Sequence, residues 1–225
     1  MTERTNELID ELARGLRPVR RIPALGRVAA LAAGVAAVLL IAQISYVLAT
    51  RSSLLKPDFG SVDVQTAAAH LLLAAAALAF ALGASVPGRE RLARSGAIAL
   101  GVALVAVLWI GCERLLHWPG VGALLPGWRG AMFTCGLNSV VPALLPALVL
   151  TRFCARAAPR HTALTLLVAA AAAIAMLTLP GVVGCPYPDE LHHVVAHLLA
   201  PALGAWVLVV VALPVVLAAR RSVRG

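Results

Sequence analysis

Charge is scarce in this chain. Only 13% of its 225 residues are Asp, Glu, Lys or Arg, against 61% hydrophobic residues, and that balance excludes an ordinary soluble domain, which needs more polar surface to face water. The four cysteines, Cys112, Cys135, Cys154 and Cys185, form no C-x-x-C pair, which excludes a zinc ribbon and a thioredoxin-like redox motif. Neither G-x-S-x-G nor H-E-x-x-H occurs, and the apolar runs carry no paired carboxylates. These absences remove the common hydrolase and metallopeptidase signatures, and no enzyme activity is expected.

What the chain does have is a series of apolar runs, with a mean hydropathy of +0.91. Each run approaches or exceeds the roughly 20 residues that a helix needs to cross a bilayer core. They fall at about 28–49, 64–86, 96–116, 131–151, 162–183 and 192–219, which predicts an all-α, polytopic integral membrane protein with six transmembrane helices. A basic stretch before the first run resembles a signal peptide, but the run exceeds the roughly 7–15 residues of a signal-peptide core and more spans follow, so retention is expected. Three parts are therefore distinguished: a cytoplasmic N-terminal segment at 1–27, the membrane domain at 28–219 and a basic tail at 220–225.

The net charge of +9 first raises nucleic acid as a partner, but its distribution has another cause. Of the 19 Lys and Arg residues, fifteen lie in the N-segment, two alternate loops and the tail, and only Arg51, Lys56, Arg114 and Arg129 lie on the opposite side. The positive-inside rule then puts both termini in the cytoplasm. The cytoplasmic loops are too short to hold a reading module, so no direct nucleic-acid contact is expected.

In the N-segment, Leu8, Ile9, Leu12 and Leu16 recur at helical spacing, with Thr5 or Asn6 as N-cap and Glu7, Asp10 and Glu11 in the first turns, where the helix dipole favours acids. Gly15 can close this helix, and Arg17, Arg20 and Arg21 flank Pro18 on the way to the membrane. So short an amphipathic helix cannot build its own core and needs a surface, either lipid headgroups or another protein.

A polar island from Gly184 to His197 separates the last two apolar runs. Pro186 and Pro188 force a turn there. Cys185 lies in this turn, and His193 and His197, four apart, would share a face of the next helix. With this topology Cys185, Cys135 and Cys112 sit near the outer face, where disulfides persist, while Cys154 is cytoplasmic. Thiols and imidazoles together suit zinc or softer heavy metals, so His193 and His197 could join Cys135 and Cys185 as ligands, with Cys112 a further candidate. Cysteines that merely pack as small apolar residues, and histidines resting at the interface, are the alternative. His70 and Asn138 are buried polar candidates for bonds to neighbouring helices. In the fourth run Cys135, Asn138, Pro142 and Pro146 fall near one face, a proline-weakened stripe able to transmit a bend.

The segment from Leu8 to Arg21, the run from Trp128-Arg129 through Cys135 to Pro142 and Pro146, and the turn Cys185-Pro186 with Asp189 resemble the NrsF-type family. Its members are six-span bacterial inner-membrane negative regulators of an ECF sigma factor. The resemblance implies that the N-segment holds the sigma factor; in that case Leu8, Ile9, Leu12 and Leu16 form the apolar stripe that docks into a groove of the partner, with Arg17, Arg20 and Arg21 meeting acidic groups beside it. It further implies that Cys135 and Cys185 sense metal or oxidative stress at the outer face. Cys112, Cys154 and the histidines His192, His193 and His197 fall outside the family pattern. The N-segment contains no cysteine, so it is not a zinc-binding anti-sigma domain. A small transporter or channel for a neutral or apolar solute is the alternative function, since the spans place few ionisable groups near the midplane.

Overall fold

The structure, a computed structural model, describes residue 7 and residues 25–50, 61–120, 128–157, 161–183, 185, 187 and 190–224. The described residues are helical apart from short turns and links. Inside a bilayer every backbone N–H and C=O must be satisfied within the protein, and a helix does this within one segment. In chain order the helices are α1 (Leu25–Thr50), α2 (Ser61–Ser85), α3 (Glu90–Leu116), α4 (Trp128–Val140), α5 (Leu144–Ala157), α6 (Thr162–Val183), α7 (Glu190–His193) and α8 (Ala200–Arg224). A 3₁₀ turn at Val141–Ala143 joins α4 to α5, and a π-helical turn at Val194–Leu199 joins α7 to α8. Both joins are continuous helix, so Met132–Ala157 and Glu190–Pro214 each form one span.

Five helical stretches are long and apolar enough to cross a membrane: Val64–Ser85, Glu90–Leu116, Met132–Ala157, Thr162–Val183 and Glu190–Pro214. They coincide with the second to sixth apolar runs. The first run lies in the 26-residue helix α1. The structure departs from the expected layout at the basic turns. Arg91 and Arg94 belong to the first turns of α3, Arg152 and Arg156 to α5, and Arg220 and Arg221 to α8; a helix can run on past its apolar stretch because long basic side chains reach water, and Arg91, Arg94, Arg152 and Arg156 are exposed. The connection between α2 and α3 is correspondingly tight. Gly88 adopts φ +81°, a conformation that favours glycine, and its N–H donates to Glu90 Oε1 at 3.1 Å.

Helix α6 is the centre of the bundle, packed by α2, α5 and α8 and touched by α1 and α4. Leu166, Ala169, Ala170, Ala173, Ile174 and Leu177 are all buried, and alanines let the surrounding helices approach closely. Its hydroxyls are satisfied locally: Thr178 Oγ1 donates to the Ile174 carbonyl at 2.8 Å. The α2–α3 pair is tighter still. A Cβ on Gly83 would collide with the backbone of Ala93, and one on Gly96 with the backbone of Phe80. In this region Cys154 is fully buried, its Sγ 3.9 Å from the Ala81 carbonyl.

Candidate functional site

Two spans and the link between α6 and α7 converge at the opposite end of the bundle. Cys135 enters from α4, Cys185 and Tyr187 from the link, His192 and His193 from α7, and His197 from the π-helical turn. Room for the His197 ring comes from Gly181 of α6. A Cβ there would sit 3.3 Å from His197 Cε1 and 3.5 Å from Nδ1.

One ligand atom from each of Cys135, Cys185, His192 and His197 lies within 4.8 Å of the other three. Cys185 Sγ and His192 Nε2 are 3.2 Å apart. Three of the four are buried and Cys185 is half-buried. His192 is also held from outside, with its ring centroid 5.0 Å from that of Tyr187 and 5.6 Å from that of His197.

This membership differs from the sequence expectation by one exchange. A regular α-helix aligns residues four apart, which pairs His193 with His197. The turn at Val194–Leu199 is instead closed by i→i+5 bonding, as in the Ala200 N–H to Val195 carbonyl bond, and a π-turn aligns residues five apart. His192 therefore joins His197 in the group. The Nε2 of His193 lies 3.0 Å from the Tyr187 carbonyl, so this ring braces the link. Cys112 is exposed on α3 and is outside the group. Gly184, Pro186, Pro188 and Asp189, and the N-segment residues Leu8, Ile9, Leu12, Leu16, Arg17, Arg20 and Arg21, lie outside the described residues.

Ser139, one turn after Cys135, sets the state of His197. Its hydroxyl donates its one hydrogen to the Cys135 carbonyl at 3.0 Å. The same oxygen lies 3.4 Å from His197 Nδ1 and must accept there, which puts the His197 proton on Nδ1 and the lone pair on Nε2. That Nε2 is buried and makes no hydrogen bond to the described residues. It is a donor atom prepared for a ligand. The backbone at His197 is fixed from α2, where one His70 ring nitrogen lies 3.0 Å from the His197 carbonyl and the other 2.8 Å from the Thr66 carbonyl.

An ion pair braces the same end. Arg114 Nη1 donates to Glu190 Oε2 at 2.8 Å and Nη2 to Thr66 Oγ1 at 3.2 Å. Arg114 was expected in an outer loop but is a buried residue of α3, because Glu190 offers the counter-charge that a loop arginine would not need. The pair ties α3 to the first residue of α7, two residues before His192. Sequence reading did not find Ser139, His192 or this pairing, and only the crowding of polar residues around 189–197 hinted at them.

Together, the fold and the site define, among the described residues, a helical bundle with five helices long and apolar enough to cross a membrane and a largely buried Cys/His group at one end that could hold a metal ion. Comparison with protein-family models, curated proteins and solved structures gives no match.

Proposed function

We propose that the protein is a six-span anti-sigma factor of the bacterial inner membrane, with both termini in the cytoplasm. In this reading the N-segment sequesters an ECF sigma factor and releases it when Cys135 and Cys185 respond to metal or oxidative stress at the outer face. The observation that supports this most is the meeting of two cysteines, fifty residues apart in sequence, with two histidines in one buried group. Thiols so placed can change state together, as a sensor requires.

The packing supplies a route from the group to the N-segment. Cys135 lies on α4, whose helix is interrupted at Val141–Ala143, where Pro142 has no N–H to continue the bonding pattern. Beyond the interruption, α5 packs against α1, which continues the chain from the N-segment. A change at the group tilts α4 about this joint and shifts α5 and α1 with it. The required difference is small, since about 1.4 kcal/mol of differential binding changes occupancy tenfold.

The transport reading has less support. An apolar groove of about 700 Å³ between α4 and α8 is lined by Phe133, Leu203 and Val211 among others. These side chains are exposed, so the groove opens sideways towards lipid and does not lead through the bundle. The deciding experiment deletes residues 1–16, keeps 17–27 to preserve topology, and co-purifies the membrane protein with candidate sigma factors. The intact chain should capture one sigma factor and the deleted chain none, and Leu12→Asp should weaken capture more than about tenfold, as expected from loss of a buried leucine. Capture by the deleted chain overturns the contact surface, and failure of the intact chain to bind any sigma factor overturns the function.

A further inference from the structure

We infer that Cys135, Cys185, His192 and His197 form a closed, four-coordinate site for a divalent d¹⁰ cation, Zn²⁺ or its heavier congener Cd²⁺. This deepens the sensor reading and rests on it for biological meaning, but the site itself stands on geometry and charge.

The geometry comes first. Tetrahedral zinc with Zn–S near 2.3 Å and Zn–N near 2.0–2.1 Å places its ligand atoms about 3.3–3.8 Å apart. The four atoms here already lie within 4.8 Å of one another, and one pair is at 3.2 Å. A contraction of about an ångström completes the shell, within the reach of side-chain rotation. The set is two thiols and two imidazoles, which suits zinc and softer ions and excludes the oxygen-seeking Mg²⁺ and Ca²⁺. His197 is prepared in advance, its Nδ1–H held by Ser139 and its Nε2 lone pair unused. Such a partner on the far ring nitrogen accompanies metal-bound histidine in most sites.

Charge then selects among the soft ions. Binding a divalent ion displaces both thiol protons to water, leaving two thiolates and two neutral imidazoles around a 2+ centre. The assembly is neutral, as a buried group at a membrane-embedded end must be to avoid a large solvation cost. A monovalent ion such as Cu⁺ in the same set leaves a net negative charge. With all four positions filled by protein, no open site remains for hydrolytic chemistry, so the centre is structural or regulatory. Because the ligands come from α4, the link, α7 and the π-turn, an ion adds a four-ligand tie between two spans that already meet at the Ser139–His197 contact.

The test uses the full-length protein in detergent, reduced and stripped with a chelator, with Co²⁺ as the spectroscopic probe. One Co²⁺ per chain should bind with the strong visible bands of tetrahedral cobalt and a thiolate-to-metal charge-transfer band, and both Zn²⁺ and Cd²⁺ should displace it. His192→Gln and His197→Gln should each lower affinity at least tenfold and alter the visible bands, Ser139→Ala should lower it about tenfold, and His193→Gln should leave it unchanged. The parent spectrum needs no variant to fold, and circular dichroism checks those that are made. An octahedral or absent cobalt spectrum overturns the site, as does parent-like binding by both histidine variants. A Cys135–Cys185 disulfide that forms under oxidant while the reduced protein takes no metal also overturns it, leaving a purely redox sensor. Tetrahedral binding of Zn²⁺ or Cd²⁺ without any change in sigma-factor capture supports the site and removes the sensor function.

Discussion

Cys135 and Cys154 belong to one span, nineteen residues and roughly 28 Å of helix rise apart, and their surroundings could hardly differ more. Cys154 sits among Ala81, Leu150 and Leu166 and, among the described residues, belongs to no group of metal-ligating side chains. Cys135 faces another thiol and two imidazoles across a π-turn. The same side chain packs at one end and joins a candidate ligand group at the other. What decides between them is the company brought by the neighbouring helices: glycine and alanine give contact without function, whereas polar rings held by second partners give a site that contributes less to packing.

Substitutions can break this contrast, and the largest effect should come from the packed end. Gly96→Leu has no space against Phe80 and should destabilise the bundle by more than about 3 kcal/mol, beyond ordinary overpacking because backbone must move, read as loss of folded protein in detergent melts. Arg114→Ala should come next, at about 2 kcal/mol. It removes the cation from Glu190, which is 32% exposed and so is partly compensated by water. Arg114→Lys should restore part of the loss. At the Cys/His end the order of effects reverses. The double variant Cys135→Ser, Cys185→Ser should melt within about 1 kcal/mol of the parent yet lose its response to Cd²⁺ and oxidant in a regulon reporter. A parent-like response would make these thiols no different from Cys154. Smallest in its effect on signalling, Cys154→Ala should cost about 1 kcal/mol, because it removes one buried sulfur and leaves a small void, and leave that response intact; a lost response would show that the two ends are one functional unit.

The spans were legible because an apolar run of bilayer length has few other uses, and five of them appear where the hydropathy put them. Their ends were not, since Arg91, Arg94, Arg152 and Arg156 read as loop residues but continue helices. The gathering of Cys135, Cys185 and His197 was anticipated from topology. The exchange of His193 for His192 was not, because periodicity assumes one helical pitch and the π-turn changes it within six residues. Arg114 misled for a related reason: a lone charge at a helix end looks like an interface residue until its partner, seventy-six positions away, is seen.

The central position of α6 has a consequence for biogenesis. Among the described spans none is more apolar, yet this one is the most enclosed by protein, so once the bundle is complete its affinity for lipid is scarcely used. That affinity matters earlier, when the helix leaves the translocation channel and must rest in the bilayer before its last neighbour exists. Synthesis then proceeds through Cys185 to the span at Glu190–Pro214, which packs on α6 and brings His192 and His197 to Cys135. The Cys/His group is therefore incomplete until His192 and His197 follow Cys185 out, and a chain halted before residue 192 would hold both thiols without either imidazole.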